Sequence, residues 1–339
     1  MRLQQRMRAS LSATLLATML ALTSCGLPGT SPASSLAQNG GYPTLHRLIW
    51  GFSYVDSMQW SPDGHWIALL AGSDYATSHL EVVSPDGRKR YDLSSWECGD
   101  STTFSFAWLA NGALACVTNT DRITTGTFPF SAHAITRMAP PLHPYDTGVT
   151  TSSDPGILIV SSLTSASDPV NVTISQLYEV TLQGDVTSVP LTSRPTDVRF
   201  PAWQPHGRSV TYLVQESQST GGFDLYRSTV TDSTKGLSLQ EGALLAQRVD
   251  QNYTWSPSGH WLAVRQPGYS GGDHIYLINP DNPSQTVDVV LADLVGQQMT
   301  DPIWSPDGNT LIVSSVGVTD AYPYSLDIGG YLRSKGLQP

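Results

Sequence analysis

The 339-residue chain is short of charge: only 14% of its residues are Asp, Glu, Lys or Arg, where about a quarter is usual in soluble domains. Basic residues are the scarcer sign, 18 Lys and Arg against 28 Asp and Glu, for a formal charge of −10. That balance excludes a nucleic-acid binder, which would carry a basic patch or stripe. Cysteine is nearly missing, and three residues cannot build a disulfide scaffold or a thiolate zinc site. Long hydrophobic runs are missing too. The run from Leu11 to Leu22 covers twelve residues, and a membrane-spanning helix needs about 20. Yet with 40% hydrophobic residues the chain is too apolar to be disordered. What is plentiful is turn chemistry. The 29 Gly and 23 Pro, with many Ser and Thr, disfavour helices and favour short strands joined by turns. Composition therefore predicts a large all-β domain.

Residues 1–24 read as a signal peptide. Arg2, Arg6 and Arg8 precede the apolar run with no acidic residue near them, and targeting segments of this kind are set aside before fold reasoning. The run ends in Leu22-Thr23-Ser24-Cys25-Gly26, which resembles a bacterial lipobox. There the cysteine takes the lipid, because its thiol is the only suitable nucleophile, and becomes the first residue. An ordinary signal peptide followed by an unrelated cysteine is the alternative. Cleavage removes three arginines and no acid, so the exported form carries −13 rather than −10. Residues 25–43, rich in Gly, Pro and Ser, read as a flexible tether. The expectation is an exported protein held on the bacterial cell membrane or its periplasmic face through Cys25. Two acyl chains are implied, since one gives only marginal membrane binding.

From residue 44 to 339 the sequence repeats. Trp60 opens WSPDGHWIALL, Trp255 opens WSPSGHWLAVR and Trp304 opens WSPDGNTLIVSS. Trp203 opens the weaker WQPHGRSVTYLV and Trp108 opens WLANGALACVT. Thr151 stands at the head of a degenerate member, TSSDPGILIVSS. Counting it, the spacings are 48, 43, 52, 52 and 49, so six units account for the domain. In each, Ser-Pro-Asp-Gly is a turn: proline presets φ, aspartate bonds the backbone and glycine accepts positive φ. A short strand carrying the tryptophan precedes the turn and an apolar or alternating strand follows it. A third strand (HLEVV, FDLYR, HIYLI) and, after a second turn such as Pro85-Asp86-Gly87, a fourth complete a four-stranded antiparallel meander. One such sheet cannot hide both faces, but six arranged radially can. The predicted fold is a six-bladed β-propeller. Seven blades is the alternative, since the final stretch, Tyr322 to Leu337 and expected as strands, could share a blade with Leu45 to Gly51 or stand apart.

The W-S-P-D-G-x-x-[IL]-[AV] run followed by a strand such as IYLIN resembles the repeat of TolB-like β-propellers. The propellers of prolyl-oligopeptidase-type peptidases carry a similar repeat. TolB has an α/β domain ahead of its propeller, where only the tether stands in this sequence, and the peptidases need a hydrolase domain for which 339 residues leave no room. The resemblance implies the fold and leaves the activity open.

Candidate chemistry is sparse. Gly268-Tyr269-Ser270-Gly271-Gly272 matches G-x-S-x-G, but that elbow works only at a sharp strand-to-helix turn, and here it falls in a hairpin loop. His65, His206 and His260 sit in the repeated turn and read as solvent-facing or structural. His133 and His143 lie in an irregular stretch where a shared metal is the alternative. Asp63, Asp86 and Asp307 are explained by turn bonding and do not follow a calcium-loop spacing. Trp60, Trp108, Trp203, Trp255 and Trp304 recur in one register and are expected to pack between blades. Trp50, Trp96 and Tyr75 fall outside that register and are expected at a contact surface. Cys98 and Cys116, left after lipidation of Cys25, form a candidate disulfide, with two buried free thiols as the alternative. No cofactor is expected, with an ion in the channel left open. These readings favour a monomeric, non-catalytic module that binds an envelope protein or glycan. The irregular Ile123 to Val149 run of the third unit is the first place to look for its partner. An enzyme using channel residues and a metal, or a regulatory propeller for a separately encoded peptidase, are the alternatives.

Overall fold

The repeated turn closes on its own hydrogen bonds. The Ser61 hydroxyl donates to Asp63 Oδ1 at 2.6 Å and accepts the Trp66 amide at 2.9 Å. Asp63 Oδ1 also accepts the His65 amide at 3.0 Å, and Gly64 takes φ of 72°, which is why glycine stands there. The same bonds recur at Ser305, Asp307 and Thr310, at 2.5 and 2.9 Å. They are reused between the third and fourth strands of the first blade, where Ser84 bonds Asp86 at 2.6 Å and Lys89 at 2.9 Å. Even the degenerate unit keeps the frame, with Ser152 N donating to Ile157 O at 3.0 Å. These chain reversals are therefore set by bonds within the turn itself.

The computed structural model is a six-bladed β-propeller. Residues 1–42, 44, 75, 97, 99–104, 118–121, 132, 138–147, 153, 155, 164–174, 183–186, 192–196, 216–221, 234–235, 252, 267–273, 290–297, 300–301 and 317–320 lie outside the described residues. Cys25, Tyr75, His143 and the Gly268 to Gly272 motif fall among them. All described residues belong to one unit, Tyr42–Pro339. Blade 1 comprises Tyr54–Trp60, Ile67–Gly72, His79–Val83 and Arg90–Asp92. Blade 2 comprises Ser105–Trp108, Leu114–Val117, Arg122–Gly126 and His133–Arg137. Blade 3 comprises Val149–Thr151, Ile157–Leu163, Ser175–Thr181 and Thr187–Pro190. Blade 5 comprises Tyr253–Trp255, Leu262–Gln266, His274–Ile278 and Thr286–Val289. In these four blades strands pair antiparallel with their sequence neighbours.

Blades 4 and 6 depart from the simple meander. In blade 4 the first two strands are Asp197–Trp203 and Ser209–Gln215. The third, Phe223–Ser233, runs eleven residues, and two strands share its far edge, Gly236–Leu239 and Ala243–Val249. Blade 6 takes Gln298–Met299 and Ile303–Trp304, Thr310–Val316 and Ala321–Asp327 from the C-terminal end and Leu45–Arg47 from the N-terminal end. Leu45 pairs with Leu326 and Arg47 with Tyr324. The first and last strands thus share a blade, which fixes the count at six and removes an exposed edge.

The stretch from Tyr322 to Leu337 is only half strand, a correction to the all-strand expectation. With Leu45–Arg47 already filling the fourth-strand place, the chain past Asp327 is released and forms a helix, Ile328–Ser334. Asp327 caps it by accepting the Gly330 amide at 2.8 Å. Among the described residues no helix is long and apolar enough to cross a membrane.

The described residues form no single central core. The buried apolar side chains fall into six clusters, one at each junction between consecutive blades. Strand alternation explains this, since successive side chains point to opposite faces. In blade 1, Ile67 and Leu69 pack toward blade 6 beside Ile303 and Ile312, while Ala68, Leu80 and Val82 pack toward blade 2 beside Trp108 and Leu114. Every blade contributes to a buried cluster on each of its two faces, which is what a radial stack of two-sided sheets requires.

Candidate functional site

The first strands of all six blades line a central cavity of about 750 Å³. Each repeat tryptophan ends one of these strands and faces sideways into the preceding blade. The partner is set by register: it stands eight residues past the preceding blade's own tryptophan or, in blade 3, past Thr151. Trp60 shares a cluster with Ile312, Trp108 with Ala68, Trp203 with Ile159 and Trp304 with Ala263. Only for Trp255 is that partner polar, and its Nε1 donates to Thr211 Oγ1 at 3.0 Å. Trp108 Nε1 finds the Gln59 carbonyl instead, at 3.0 Å. The Nε1 atoms of Trp60, Trp203 and Trp304 are buried with no hydrogen-bond partner, each a desolvation penalty of about 1–3 kcal/mol.

Below the tryptophans a second register shapes the wall. Three residues before the repeat position, the first strand turns left-handed in blades 1, 3 and 4, at Ser57 (φ 44°), Gly148 (φ 86°) and Phe200 (φ 50°). The strands bulge there in blades 1 and 4, which stand opposite each other in the ring. Gly148 adopts this backbone at little cost, whereas a non-glycine residue there costs about 1–3 kcal/mol. Phe200 is held from two sides. Its carbonyl accepts the Tyr253 hydroxyl at 2.8 Å, and a Cβ on Gly148 would meet its Cα at 2.9 Å. Burial pushes the Tyr253 phenol far above its usual range, so it stays a proton donor.

The residue just before each repeat position alternates around the ring: Gln59, Thr150 and Thr254 in blades 1, 3 and 5, against Ala107, Ala202 and Ile303 in blades 2, 4 and 6. Gln59 Oε1 accepts the Trp108 amide at 3.0 Å and Thr150 Oγ1 accepts the Trp203 amide at 3.2 Å. At one mouth the turns abut. Gly64 faces Pro306, Gly308 faces Pro257 and Gly259 faces the Pro205 carbonyl. Among the described lining residues none is Asp, Glu, Lys or Arg. His206 at the mouth, exposed and left-handed at φ 57°, is the one histidine in the lining.

The other candidates lie elsewhere. His65 and His260 are exposed on turns, and His133 sits against Trp96 with ring centres 5.6 Å apart. Cys98 and Cys116 are disulfide-bonded with Cα atoms 5.8 Å apart, at the junction of blades 1 and 2. Trp50 and Trp96 are not at a surface: they are 6% and 1% exposed. Their partners come from distant sequence, Trp50 donating to Pro85 O at 3.2 Å and Trp96 packing with Phe130 and Trp108. The Asp86 carboxyl is held below its usual range by the Ser84 hydroxyl and the Arg88 amide, and that of Asp307 by the Ser305 hydroxyl, which are turn bonds.

One cluster escaped the sequence reading. His79, Glu81 and Asp92 bring ligand-type atoms within 4.8 Å of one another on the outer half of blade 1. The signal was there, since His79 and Glu81 share a face at spacing two and Asp92 is the cross-strand partner of Glu81. Glu81 is fully buried and already bound by the Arg90 guanidinium through two hydrogen bonds. The buried carboxylate of the group is thus already paired with a guanidinium.

No protein-family model matches the chain, and no curated protein matches it. Solved structures do. The chain is similar to the β-propeller domain of Cps50 (Swd1) from Myceliophteria thermophila, at 10% identity and a TM-score of 0.53, over 84% of this chain and 99% of that one. It is similar to an oligogalacturonate lyase from Vibrio parahaemolyticus, at 8% identity and 0.52, over 85% and 97%. TolB from Acinetobacter baumannii is matched at 13% identity and 0.45, over 80% of this chain and 63% of that one. Likeness at such identity defines the class, a β-propeller, and settles no activity.

Proposed function

We propose that the chain is a monomeric, lipid-anchored propeller of the bacterial cell envelope that binds a protein or glycan partner without chemistry, through the mouth of its channel. The observation that carries this reading is the lining itself. It offers aromatic rings, hydroxyls and amides in a cavity sized for a ligand, with one histidine and no carboxylate or ammonium among the described residues. General acid–base work needs paired titratable groups. Divalent metals of the hard and intermediate kind need carboxylate or several imidazole ligands. The described lining supplies neither, so a channel metal does not fit these residues, and the acidic substrate named for the similar lyase would find no lysine or arginine among them. The lipobox at Cys25 and the tether after it support an anchored module that reaches its partner.

Photo-crosslinking residues placed at Pro62 and His206 in the living envelope should capture a reproducible component. The same probe at the exposed Thr136 on the outer edge of blade 2 should not. Equal capture at both places, or none at the mouth, overturns the reading. Separately, Cys25→Ala should abolish incorporation of labelled palmitate and move the protein to the soluble fraction.

A further inference from the structure

We propose that the channel's ligand is an uncharged sugar of one or two rings, gripped between the opposed walls of blades 1 and 4. This deepens the binding-module reading above and rests on it.

Charge comes first. In a chain with 14% charged residues, the 28 described lining positions hold none of Asp, Glu, Lys or Arg. An ion entering such a site loses its hydration without gaining a counter-charge. A free peptide small enough for about 750 Å³ brings an ammonium and a carboxylate, both uncompensated. A neutral sugar brings neither. Its hydroxyl rim needs amide and hydroxyl partners, and its C–H face needs rings. Both are present. Gln59 uses only its Oε1 on Trp108, which leaves its Nε2 to donate, while Gln251, Thr254 and Ser57 also border the cavity and Phe106 and Phe200 are half-buried beside it.

Strain is the second, independent observation. Five non-glycine residues of the described chain have positive φ, and three of them, Ser57, Phe200 and His206, border this one cavity. Blade 3 shows that the same bend can be made with glycine, at Gly148. Blades 1 and 4 make it with side chains retained, on opposite sides of the channel. Left-handed non-glycine residues concentrate at ligand clamps, where the surroundings hold them in place. Serine opposite phenylalanine gives one wall a hydroxyl and the other a ring, the two contacts a pyranose offers.

The test uses the full chain in detergent, with tryptophan fluorescence and calorimetry as readouts. Maltose, cellobiose and N,N′-diacetylchitobiose are the neutral probes and digalacturonate is the charged one. At least one neutral disaccharide should bind at least tenfold more tightly than digalacturonate. Ser57→Gly and Phe200→Gly keep the left-handed backbone and remove the side chains. Each should weaken that binding at least tenfold, with the melting temperature of Ser57→Gly unchanged or raised. Absence of binding by all three neutral probes, equal binding of digalacturonate, or unchanged affinity in both glycine variants overturns the proposal. A protein partner crosslinked at the mouth with no sugar bound sinks the sugar and leaves the binding module standing. Cleavage of a bound disaccharide does the reverse.

Discussion

Blades 1 and 5 carry nearly the same words, WSPDGHW and WSPSGHW, and each leaves a tryptophan just past the turn. Trp66 and Trp261 are held alike by the turn serine, whose hydroxyl accepts their amides at 2.9 and 3.0 Å. Their surroundings differ. Trp261 is 3% exposed, packs with Tyr331 and Leu332 of the terminal helix, and donates its indole N–H to Gln338 O at 2.7 Å. Trp66 is only half-buried. It stacks on Phe128 with centres 5.2 Å apart, and Phe128 is itself 53% exposed. In both cases the cover is the chain that follows the third strand of the next blade. In blade 2 that chain must return as a fourth strand, so it can offer only a short loop. In blade 6 the fourth strand comes from the N-terminus, and the released segment folds over Trp261. Nearly identical local sequence thus receives unequal protection because of where the ring is closed.

The largest test of that contrast is to remove the better cover. Truncation after Asp327 uncovers Trp261 and strips Ile328, Tyr331, Leu332 and Leu337 from the junction of blades 5 and 6. At about 1.5–3 kcal/mol per buried side chain, the melting temperature should fall by more than about 10 °C in calorimetry. A loss of only a degree or two would show that the helix is decoration. Next is the junction beneath Trp66. Replacing Cys98 and Cys116 with serine should cost about 3 kcal/mol, with hydrogen exchange rising at the junction of blades 1 and 2 and unchanged around Trp261. Phe128→Ala should cost less, about 1 kcal/mol, because half the ring is already in water. A cost like that of a fully buried phenylalanine would contradict the exposure seen here.

The smallest test is acid. In blade 1 burial works to raise the Asp63 carboxyl, but hydrogen bonds from the Ser61 hydroxyl and His65 amide prevail and hold it below its usual range. Blade 5 has Ser258 at that place, which does not titrate. A lowered folded pKa stabilises above the unfolded value of about 3.9 and is lost as pH falls through the folded value. Between about pH 4 and pH 2, exchange protection at residues 61–66 should fall while that at residues 256–261 holds. The effect stays under about 1 kcal/mol, since the group is mostly in solvent. Asp63→Ser should erase the difference, and parallel behaviour of the two turns in the unaltered protein would disprove the cause.

Much of the fold was legible because the signals are local. Ser-Pro-Asp-Gly carries its own hydrogen bonds, so turns, strands and unit count could be read from single segments. The helix was not, because Gly329 and Gly330 argue against one and only the vacated fourth-strand place permits it. Trp50 and Trp96 looked like surface residues because Pro85 O and Phe130 come from other segments. The cavity was hidden for the same reason. Ser57, Gly148 and Phe200 share a register, but their backbone angles and their meeting in one channel exist only once the ring is closed.

Ring closure also decides how the molecule carries a load. Chain order routes any pull on residues upstream of Leu45 onto the Leu45–Arg47 strand before another blade feels it. Three register pairs hold that strand, assisted by Leu48 N on Pro323 O at 2.8 Å and by the Arg47 guanidinium 3.4 Å from the centre of the Tyr322 ring. Such a pull would tug on the clasp of the ring, while the five other blades stay slack behind it.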